Sequence, residues 1–291
     1  MPSLNRHSVP QLALSLLRGP TATDDKYSRG VVGFVTGSTA YPGAALLGVT
    51  AAMRAGAGLV RLATDDSVLR LVLEARPECV PVSGFSPVPR CDAWVLGSGV
   101  AGDDLGAWAR TDALLTSLDA SVPLVLDAGA LEIVDLARIG GHCILTPHAG
   151  EAVRLLARWG VSSTRSEVEG DLIGVAQQLA NLSGAVVLLK GSRSIVAAPG
   201  DVFWRADEAP HELAVAGSGD VLAGILGALC AKANASASLQ GGAAFDLFEV
   251  AKAGVWLHSE AARSLAVDGQ FAALELADHL KVVVRDLVAD D

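Results

Sequence analysis

Ala216-Gly217-Ser218-Gly219-Asp220 is the segment whose residue types could most directly do chemistry, because two glycines flank a serine and an acid follows them. Glycines let backbone N–H groups converge on an anion at the start of a helix, and such donors stabilise a phosphoryl group in transit. Asp220, in the first turn of a predicted helix, is either a cap or dipole partner or a base that takes a hydroxyl proton as the oxygen attacks phosphorus. The spacing alone leaves both roles open.

Further candidate residues stand directly after short apolar runs that predict buried strands. In open α/β sheets, ligands bind beyond the carboxyl ends of the strands. The segments at these positions are Gly37-Ser38, Gly97-Ser98-Gly99, Asp127-Ala128-Gly129, Pro147-His148 and Lys190-Gly191. The sequence therefore concentrates its candidate chemistry at predicted strand ends.

Apolar runs alternate with longer helical patterns along the chain. The predicted strands, apolar at nearly every residue as central parallel strands are, are Val31–Thr36, Leu59–Thr64, Ala93–Leu96, Leu124–Leu126, Cys143–Thr146 and Ala185–Leu189, with a hairpin of Ser194–Ala198 and Asp201–Arg205 about Pro199-Gly200. The predicted helices are Gly43–Ala55, Ser67–Ala75, Asp104–Ser117, Gly150–Arg158, Glu167–Leu182, Ser218–Ala231, Gln240–Leu265, one near Ala272–Leu287 and one around Val9–Leu17. This alternation predicts an α/β fold with a central, mostly parallel sheet and helices on both faces.

No repeat, charge run or low-complexity linker divides the chain, so one domain over residues 1–291 is expected, with residues 1–26 as an N-terminal extension. The net charge of −10 argues against a nucleic-acid partner or an anionic membrane surface, since both need a basic face. The apolar stretch Leu213–Ala231 contains Asp220, whose charge is costly inside a membrane. A cytoplasmic protein is therefore expected.

The four cysteines, Cys79, Cys91, Cys143 and Cys230, form no C-x-x-C pair and have apolar or strand-like neighbours. That pattern predicts buried free thiols in a reducing compartment and no zinc site. A dinucleotide dehydrogenase is also disfavoured, because no G-x-G-x-x-G follows the first predicted strand.

Taken in order along the chain, the motifs resemble those of the ADP/ATP-dependent NAD(P)H-hydrate dehydratases, a family with the ribokinase-like fold. The segments that carry the resemblance are Lys26–Gly30, Gly37-Ser38 with Pro42–Leu46, Arg54–Val60, Leu126–Leu131, Leu145–Glu151, Val187–Gly191 and Ala216–Asp220. The resemblance runs from about Lys26 to the C-terminus and depends on the combination of these motifs. It implies a ribokinase-like three-layer sandwich.

The resemblance implies a repair reaction on NADH or NADPH that has taken up water across the nicotinamide ring. The ring hydroxyl of (S)-NADHX or (S)-NADPHX would be phosphorylated by ADP or ATP, and Mg²⁺ would accompany the nucleotide phosphates. Phosphate would then leave and the double bond would re-form. Since hydroxide leaves poorly and phosphate leaves well, a kinase site needs no new catalytic group for this dehydration.

The resemblance also implies a role for particular residues. Asp220 is the expected catalytic base and contacts the substrate together with Ala44, Gly99 and His148. The residues expected to bind the adenosine nucleotide are Lys190, Gly191, Ser192, Arg193, Ser194 and Gly219, and those of the anion hole are Gly217, Ser218 and Gly219. No direct metal ligand is assigned: Glu151 is expected only to orient water around Mg²⁺. For Asp127 a ribose partner, a metal partner and a helix cap all stay open.

Two segments depart from the family pattern. Gly97-Ser98-Gly99 stands where the family has Gly-Pro-Gly, which relaxes the turn and keeps both glycines. His211 and Glu212 stand where a small or amide-bearing stretch is expected, and this affects the shape of a pocket rather than Asp220.

The resemblance implies a homo-tetramer and a functional partner, NAD(P)H-hydrate epimerase, which many relatives carry as a fused N-terminal domain. With about 26 residues ahead of the match, this chain is expected to lack that domain. ADP is favoured over ATP, and the choice between NADHX and NADPHX stays open. The alternatives are a small-molecule kinase of the same fold, such as a hydroxymethylpyrimidine or hydroxyethylthiazole kinase, and a nucleotide-binding regulator without catalysis, which Asp220 and Lys190 argue against.

Overall fold

The computed structural model describes residues 10–241 and 245–288, and within them nine strands form one sheet. The strands are β1 (Val31–Val35), β2 (Leu59–Ala63), β3 (Val80–Pro81), β4 (Ala93–Leu96), β5 (Leu124–Leu126), β6 (Cys143–Leu145), β7 (Val186–Leu189), β8 (Ile195–Ala198) and β9 (Val202–Arg205). Their order across the sheet is β3-β2-β1-β4-β5-β6-β7-β8-β9. Strands β1 to β7 pair in parallel, and β8 and β9 add antiparallel at one edge, where the hairpin was predicted.

The order of the strands reverses at β1, because β2 and β3 lie on one side of it and β4 on the other. At such a reversal a crevice opens beyond the carboxyl ends of the strands. Here the loops after β1 and β4 are held together by the Gly37 N–H, which donates to the Ser98 carbonyl at 2.8 Å. The topology thus brings the two predicted strand-end segments together.

Helices cover both faces of the sheet. They are α1 (Gln11–Leu16), α2 (Pro42–Arg54), α3 (Asp66–Ala75), α4 (Leu105–Ser117), α5 (Ala130–Ile133), α6 (Ala149–Arg158), α7 (Arg165–Gly170), α8 (Leu172–Ser183), α9 (Ser218–Leu239), α10 (Leu247–Ala266) and α11 (Ala273–Val288). Helices α1–α3 and α9–α11 contribute to one apolar core, and α4–α8 to the other. Side chains of β1 alternate between the two cores, with Val32 and Phe34 in the first and Val31 and Val35 in the second. The predicted ribokinase-like three-layer sandwich is confirmed.

Helices α2 and α9 pack with their backbones in contact. A Cβ on Gly224 of α9 would lie 2.2 Å from the carbonyl oxygen of Gly48 in α2, so α9 does not accommodate a larger residue at this position. This close packing places the first turn of α2, which carries Ala44, beside the first turn of α9, which carries Asp220.

Three predicted helices differ from the structure, one of them because α9 continues to Leu239, eight residues beyond the predicted end at Ala231. The predicted helix Glu167–Leu182 is divided into α7 and α8, because Asp171 leaves the helical conformation (φ −141°) and its carboxylate caps α8 by accepting from Gly174 N–H. The predicted helix Gln240–Leu265 begins instead at Leu247, where the Asp246 carboxylate accepts from Phe248 N–H. Residues 242–244 of that prediction, and Val9 of the first predicted helix, lie outside the described residues.

Helix α9 is long and apolar enough to span a membrane by length and composition alone, but 78% of its most apolar stretch is buried within the structure. That burial is typical of a core helix. The four cysteines are buried and free, as predicted.

Candidate functional site

The N-terminus of α9 has the geometry of an anion site. Gly217 precedes the helix with a φ of +92°, and a Cβ there would lie 2.4 Å from Leu47 Cδ1, so the position requires glycine. The first helical bond runs from Val221 N–H to the Gly217 carbonyl. In the described part of the chain, no acceptor engages the backbone N–H groups of Gly217, Gly219 and Asp220. They are therefore available to an anion.

Ser218 differs from its neighbours in the predicted anion hole. Its backbone N–H donates to the Val215 carbonyl at 3.3 Å, and its hydroxyl donates to the Leu213 carbonyl at 2.9 Å. Both of its donors are thus engaged within the protein. The structure indicates that Ser218 stabilises the turn before α9 through these two hydrogen bonds. The unengaged backbone N–H groups are those of Gly217, Gly219 and Asp220.

Two cavities meet at this helix end. The first, of about 630 Å³, is lined by Tyr41, Gly43, Ala44, Leu47, Gly99, Val100, Ala128, His148, Glu151, Ala216, Gly217 and Asp220. The second, of about 540 Å³, is lined by residues that include Lys190, Gly191, Ser192, Ser194, His211, Ser218, Gly219 and His258. Gly217 and Asp220 face one cavity and Ser218 and Gly219 the other, so a group bound at the helix end is reachable from both sides.

All four residues expected to contact the substrate line the first cavity: Ala44, Gly99, His148 and Asp220. Ala44 and Gly99 also touch each other, because a Cβ on Gly99 would lie 2.3 Å from Ala44 Cβ. Because both residues have little or no side chain, their backbone atoms are exposed to the first cavity.

Gly99→Ala is expected to weaken substrate binding about tenfold or more, the usual effect of one misplaced methyl group in a pocket. The new methyl group would collide with Ala44 and lie 2.9 Å from the Tyr41 carbonyl, at a φ of +66° that disfavours any side chain. The KM for the substrate and the midpoint of thermal unfolding measure the effect. Gly102→Ala is the matched control, because a Cβ there meets no atom within 4 Å. Equal behaviour of the two variants would contradict the prediction.

Five of the six residues predicted to bind the nucleotide lie together around one cavity. Lys190, Gly191, Ser192, Ser194 and Gly219 line the second cavity. Arg193 is not among its lining residues, and its guanidinium donates to the Glu208 carboxylate at 2.8 Å. His211 and Glu212 are the two residues that differ from the family pattern before the anion hole. His211 lines this cavity and Glu212 does not.

Asp127, Lys190 and Glu151 form a buried charge network beneath the two cavities. The Lys190 ammonium lies 2.8 Å from Asp127 Oδ1 and 3.6 Å from Glu151 Oε2. Burial acts to lower the pKa of Lys190, but the two carboxylates outweigh it and hold that pKa above its ordinary value. For Asp127, burial acts to raise the pKa, and Lys190 outweighs it, so the carboxyl stays ionised.

Asp127 is fully engaged by this network and its neighbours. Besides Lys190, it accepts hydrogen bonds from the Thr146 hydroxyl and from the Ser98 hydroxyl, each at 2.8 Å. Ser98, where the family has proline, therefore contributes a hydrogen bond that proline lacks. Of the three roles left open for Asp127, the geometry favours none and instead shows a carboxylate that holds Lys190 and two strand-end loops together.

Asp220 is half-buried, and its carboxylate makes no hydrogen bond within the described part of the chain. No side chain caps α9, so Asp220 does not act as its cap. Burial raises the pKa of Asp220 to about 7, with the negative charge of Asp127 adding to the effect and Lys190 opposing it. An unengaged carboxyl with a pKa near neutrality is suited to take and return a proton.

His148 stands at the N-terminus of α6 with one ring nitrogen committed to the protein. Its Nδ1 accepts from the N–H groups of Gly150 and Glu151, at 3.0 and 3.2 Å, while Glu151 accepts from the His148 N–H in return. A nitrogen that accepts carries no proton, so the neutral ring has its proton on Nε2. This arrangement leaves Nε2–H, which lies 3.5 Å from Glu151 Oε1, as a donor beside both cavities.

Among the lining residues to which sequence reasoning assigned no role, three are notable. Tyr41 is an aromatic side chain at the cavity rim that is 60% exposed, and Ala128 adopts a φ of +46°, rare for alanine. His258 comes from α10, far along the chain, and its ring lies 3.0 Å from the Ser218 carbonyl. Ala128 belongs to the strand-end segment Asp127-Ala128-Gly129 that the sequence indicated, whereas His258 lies within a continuous helical pattern that gives no signal.

The described residues contain no group of three or more His, Cys, Asp or Glu side chains arranged to hold a metal ion. Mg²⁺ commonly binds through one or two carboxylates together with substrate phosphates. Glu151 fits that limited role, because its Oε1 has only a 3.5 Å contact with His148 Nε2 and borders the first cavity.

Comparison with known proteins identifies the family. A family model described as NAD(P)H-hydrate dehydratase matches residues 32–282. An ADP-dependent (S)-NAD(P)H-hydrate dehydratase of Neisseria meningitidis is 34% identical over 266 residues, which cover 88% of this chain and 84% of that protein. The structure of an ADP/ATP-dependent NAD(P)H-hydrate dehydratase from Bacillus subtilis, co-crystallised with ATP and Mg²⁺, has a TM-score of 0.77 and 27% identity, covering 98% of this chain and 100% of its own.

A bifunctional NAD(P)H-hydrate repair enzyme of Mycobacterium tuberculosis is 39% identical over 217 residues, which are 73% of this chain and 43% of that protein. The chain thus spans about half the length of its bifunctional relatives, from 40% to 53%, and most of the length of the stand-alone ones. The family match covers the strands, the strand-end loops and the α9 N-terminus that build the two cavities. On sequence, fold and site together, the chain belongs to the NAD(P)H-hydrate dehydratase family.

Proposed function

We propose that this protein converts (S)-NADHX and (S)-NADPHX back to NADH and NADPH in a reaction that consumes ADP or ATP. One observation carries the proposal: the unengaged carboxyl of Asp220 and the free N–H groups of the α9 N-terminus lie where two cavities meet. The family relationship supports the assignment of the first cavity to the hydrated nicotinamide and of the second to the nucleotide.

In the proposed reaction, Asp220 takes the proton of the ring hydroxyl while the hydroxyl oxygen attacks the terminal phosphorus of the nucleotide. The bond from that phosphorus to the bridging oxygen breaks, and AMP leaves when ADP is the donor. Backbone N–H groups of Gly217, Gly219 and Asp220 stabilise the phosphoryl oxygens in transit. The carbon–oxygen bond to the new phosphate then breaks with its electron pair, a proton leaves the adjacent carbon, and the ring double bond re-forms.

We propose that Mg²⁺ enters with the nucleotide, where it would neutralise part of the phosphate charge. Glu151 would hold water around the ion, and Lys190 would contribute a positive charge from below the second cavity. ADP is the preferred donor in this proposal, which the name of the Neisseria relative supports, while the Bacillus enzyme is named for both nucleotides.

The kinase alternative makes a different product. An ordinary kinase would leave one phosphorylated alcohol for each nucleotide consumed, whereas the dehydratase releases inorganic phosphate and regains one reduced nicotinamide. Counting AMP, phosphate and NADH in the same reaction tests the proposal. Equal amounts of all three support it, and a stable phosphorylated product without NADH would refute it.

The reaction rate is expected to depend on the ionisation of Asp220. Because burial raises its pKa to about 7, the carboxylate form needed by a base is half-populated near that pH in the free enzyme. We expect kcat/KM to fall about tenfold for each pH unit below 7 and to level off above it. A pH profile measured over short times, with substrate stability checked separately, tests this. An inflection near pH 4, the ordinary range of a carboxyl, would contradict it.

The cellular setting is also a proposal. We propose a cytoplasmic enzyme that acts as one catalytic domain within a homo-tetramer. We also propose that it works with an NAD(P)H-hydrate epimerase activity that supplies the S epimer. The existence of bifunctional repair enzymes among the relatives supports the link to a second activity.

A further inference from the structure

His258 lies behind the anion hole, on a different helix from Asp220. It belongs to α10, which packs along α9, and it lines the second cavity together with Val255 and Ser259. The residue is only 8% exposed, and its Nε2 lies 3.0 Å from the carbonyl oxygen of Ser218. No step of the proposed reaction uses this histidine.

The direction of this hydrogen bond is fixed by its partner. A carbonyl oxygen only accepts, so the imidazole donates and its proton must be on Nε2. Burial lowers the pKa of His258 to about 4, with the Ser218 bond opposing and the charge of Lys190 adding to the effect. The ring is therefore neutral across the physiological range and acts as a constant donor rather than as an acid or base.

The Ser218 carbonyl shares its peptide unit with the Gly219 N–H, which is one of the free donors of the anion hole. In a planar peptide the C=O and N–H point in opposite directions. A hydrogen bond to the oxygen polarises the unit and strengthens its N–H as a donor on the other side. This peptide lies between Ser218 and Gly219 in the first turn of α9, and Gly219 has no side chain to restrict its rotation on one side.

We propose that His258 is a positioning residue for phosphoryl transfer: it holds and polarises the Ser218–Gly219 peptide so that the Gly219 N–H points at the transferring phosphoryl group. It does so together with the Ser218 hydroxyl, which fixes the same residue from the Leu213 side. This role for His258 deepens the proposed function. It rests on that function only in the kinetic test, which requires the protein to have dehydratase activity.

The test compares side chains that keep or lose the donor at the Nε2 position. His258→Gln places an amide N–H where Nε2 stands, His258→Asn places one nearer to Nδ1, and His258→Leu has none. We expect kcat at saturating nucleotide to fall about tenfold or more in the Leu and Asn variants, since a weakened donor costs less than the roughly hundredfold or greater loss of a whole one. In the Gln variant kcat should return to within about threefold of the natural value.

The matched control is His279→Leu. His279 also forms a hydrogen bond through Nε2, in its case with the Ser264 hydroxyl at 2.8 Å. It lies on α11, however, and lines neither cavity. This variant should keep kcat unchanged. Thermal unfolding of every variant separates loss of folding from loss of positioning.

A second measurement does not need dehydratase activity. ADP with aluminium fluoride imitates the phosphoryl group in transit, and its affinity relative to AMP reports the anion hole directly. We expect this ratio to fall about tenfold in the Leu variant and to recover in the Gln variant. If the natural protein showed no dehydratase activity, the proposed function would fail while this ratio still tested His258. Equal ratios in the natural, Leu and Gln proteins would overturn the inference, as would equal losses in the Gln and Leu variants that remain folded.

Discussion

Asp220→Asn is expected to lower turnover by about a thousandfold, within the range that general-base catalysis contributes. The amide keeps the shape of the carboxyl but cannot take the hydroxyl proton. Nucleotide affinity should stay nearly unchanged, because Asp220 faces the first cavity and the nucleotide residues line the second. Single-turnover kinetics and nucleotide titration on the same preparation measure the two effects.

Folding provides an internal check on this result. The raised pKa means that burial disfavours the charged form, so the carboxylate is a cost to the folded state above pH 7. Asp220→Asn should therefore be at least as stable as the natural protein at pH 8. Asp104→Asn is the matched control, because Asp104 caps α4 by accepting from Ala107 N–H and lines neither cavity. An inactive Asp220→Asn that is also unfolded, or one with full activity, would contradict the role of base.

Lys190→Met is expected to damage stability as well as nucleotide binding. Removing the ammonium leaves the carboxylates of Asp127 and Glu151 buried beside each other without their cation. Breaking a buried ion pair by deleting one partner costs about 3–5 kcal/mol of the free energy of unfolding. Denaturant unfolding at pH 7 measures this loss, and nucleotide titration measures the affinity.

The double variant Lys190→Met/Asp127→Asn separates the two effects. Neutralising Asp127 removes the main unpaired charge, so much of the lost stability should return. Nucleotide affinity should stay low, because the cation below the second cavity is still missing. The prediction is contradicted if Lys190→Met is as stable as the natural protein, or if the double variant is no more stable than Lys190→Met. Either result would show that the Asp127–Lys190–Glu151 network does not contribute this free energy of unfolding.

Much of the fold could be predicted because its signals are local. Fully apolar runs such as Val31–Val35 and Leu124–Leu126 are typical of parallel strands buried on both faces, and the rule of strand carboxyl ends then located the site. The break at Asp171 was missed because one aspartate within a helical pattern can either face solvent or cap a new helix.

The limits of prediction at the site have a common physical cause. Arg193 pairs with Glu208, fifteen positions away, and does not line the second cavity, whereas Ser218 commits both of its donors to Val215 and Leu213. These partners depend on how loops fold over each other. Residue type and spacing identified Asp220 and its glycines, whereas tertiary packing decides which donors stay unengaged.

The measurement that tests the central claim most directly is the absorbance of reduced nicotinamide. Purified protein would be incubated with (S)-NADHX and Mg²⁺ in the presence of ADP, ATP or no nucleotide, with Asp220→Asn in parallel. We predict that the absorbance returns with ADP, depends on added nucleotide, and fails to return with the variant. Absence of recovery with both nucleotides, or recovery that needs neither a nucleotide nor Asp220, would contradict dehydration by way of phosphoryl transfer at this helix end.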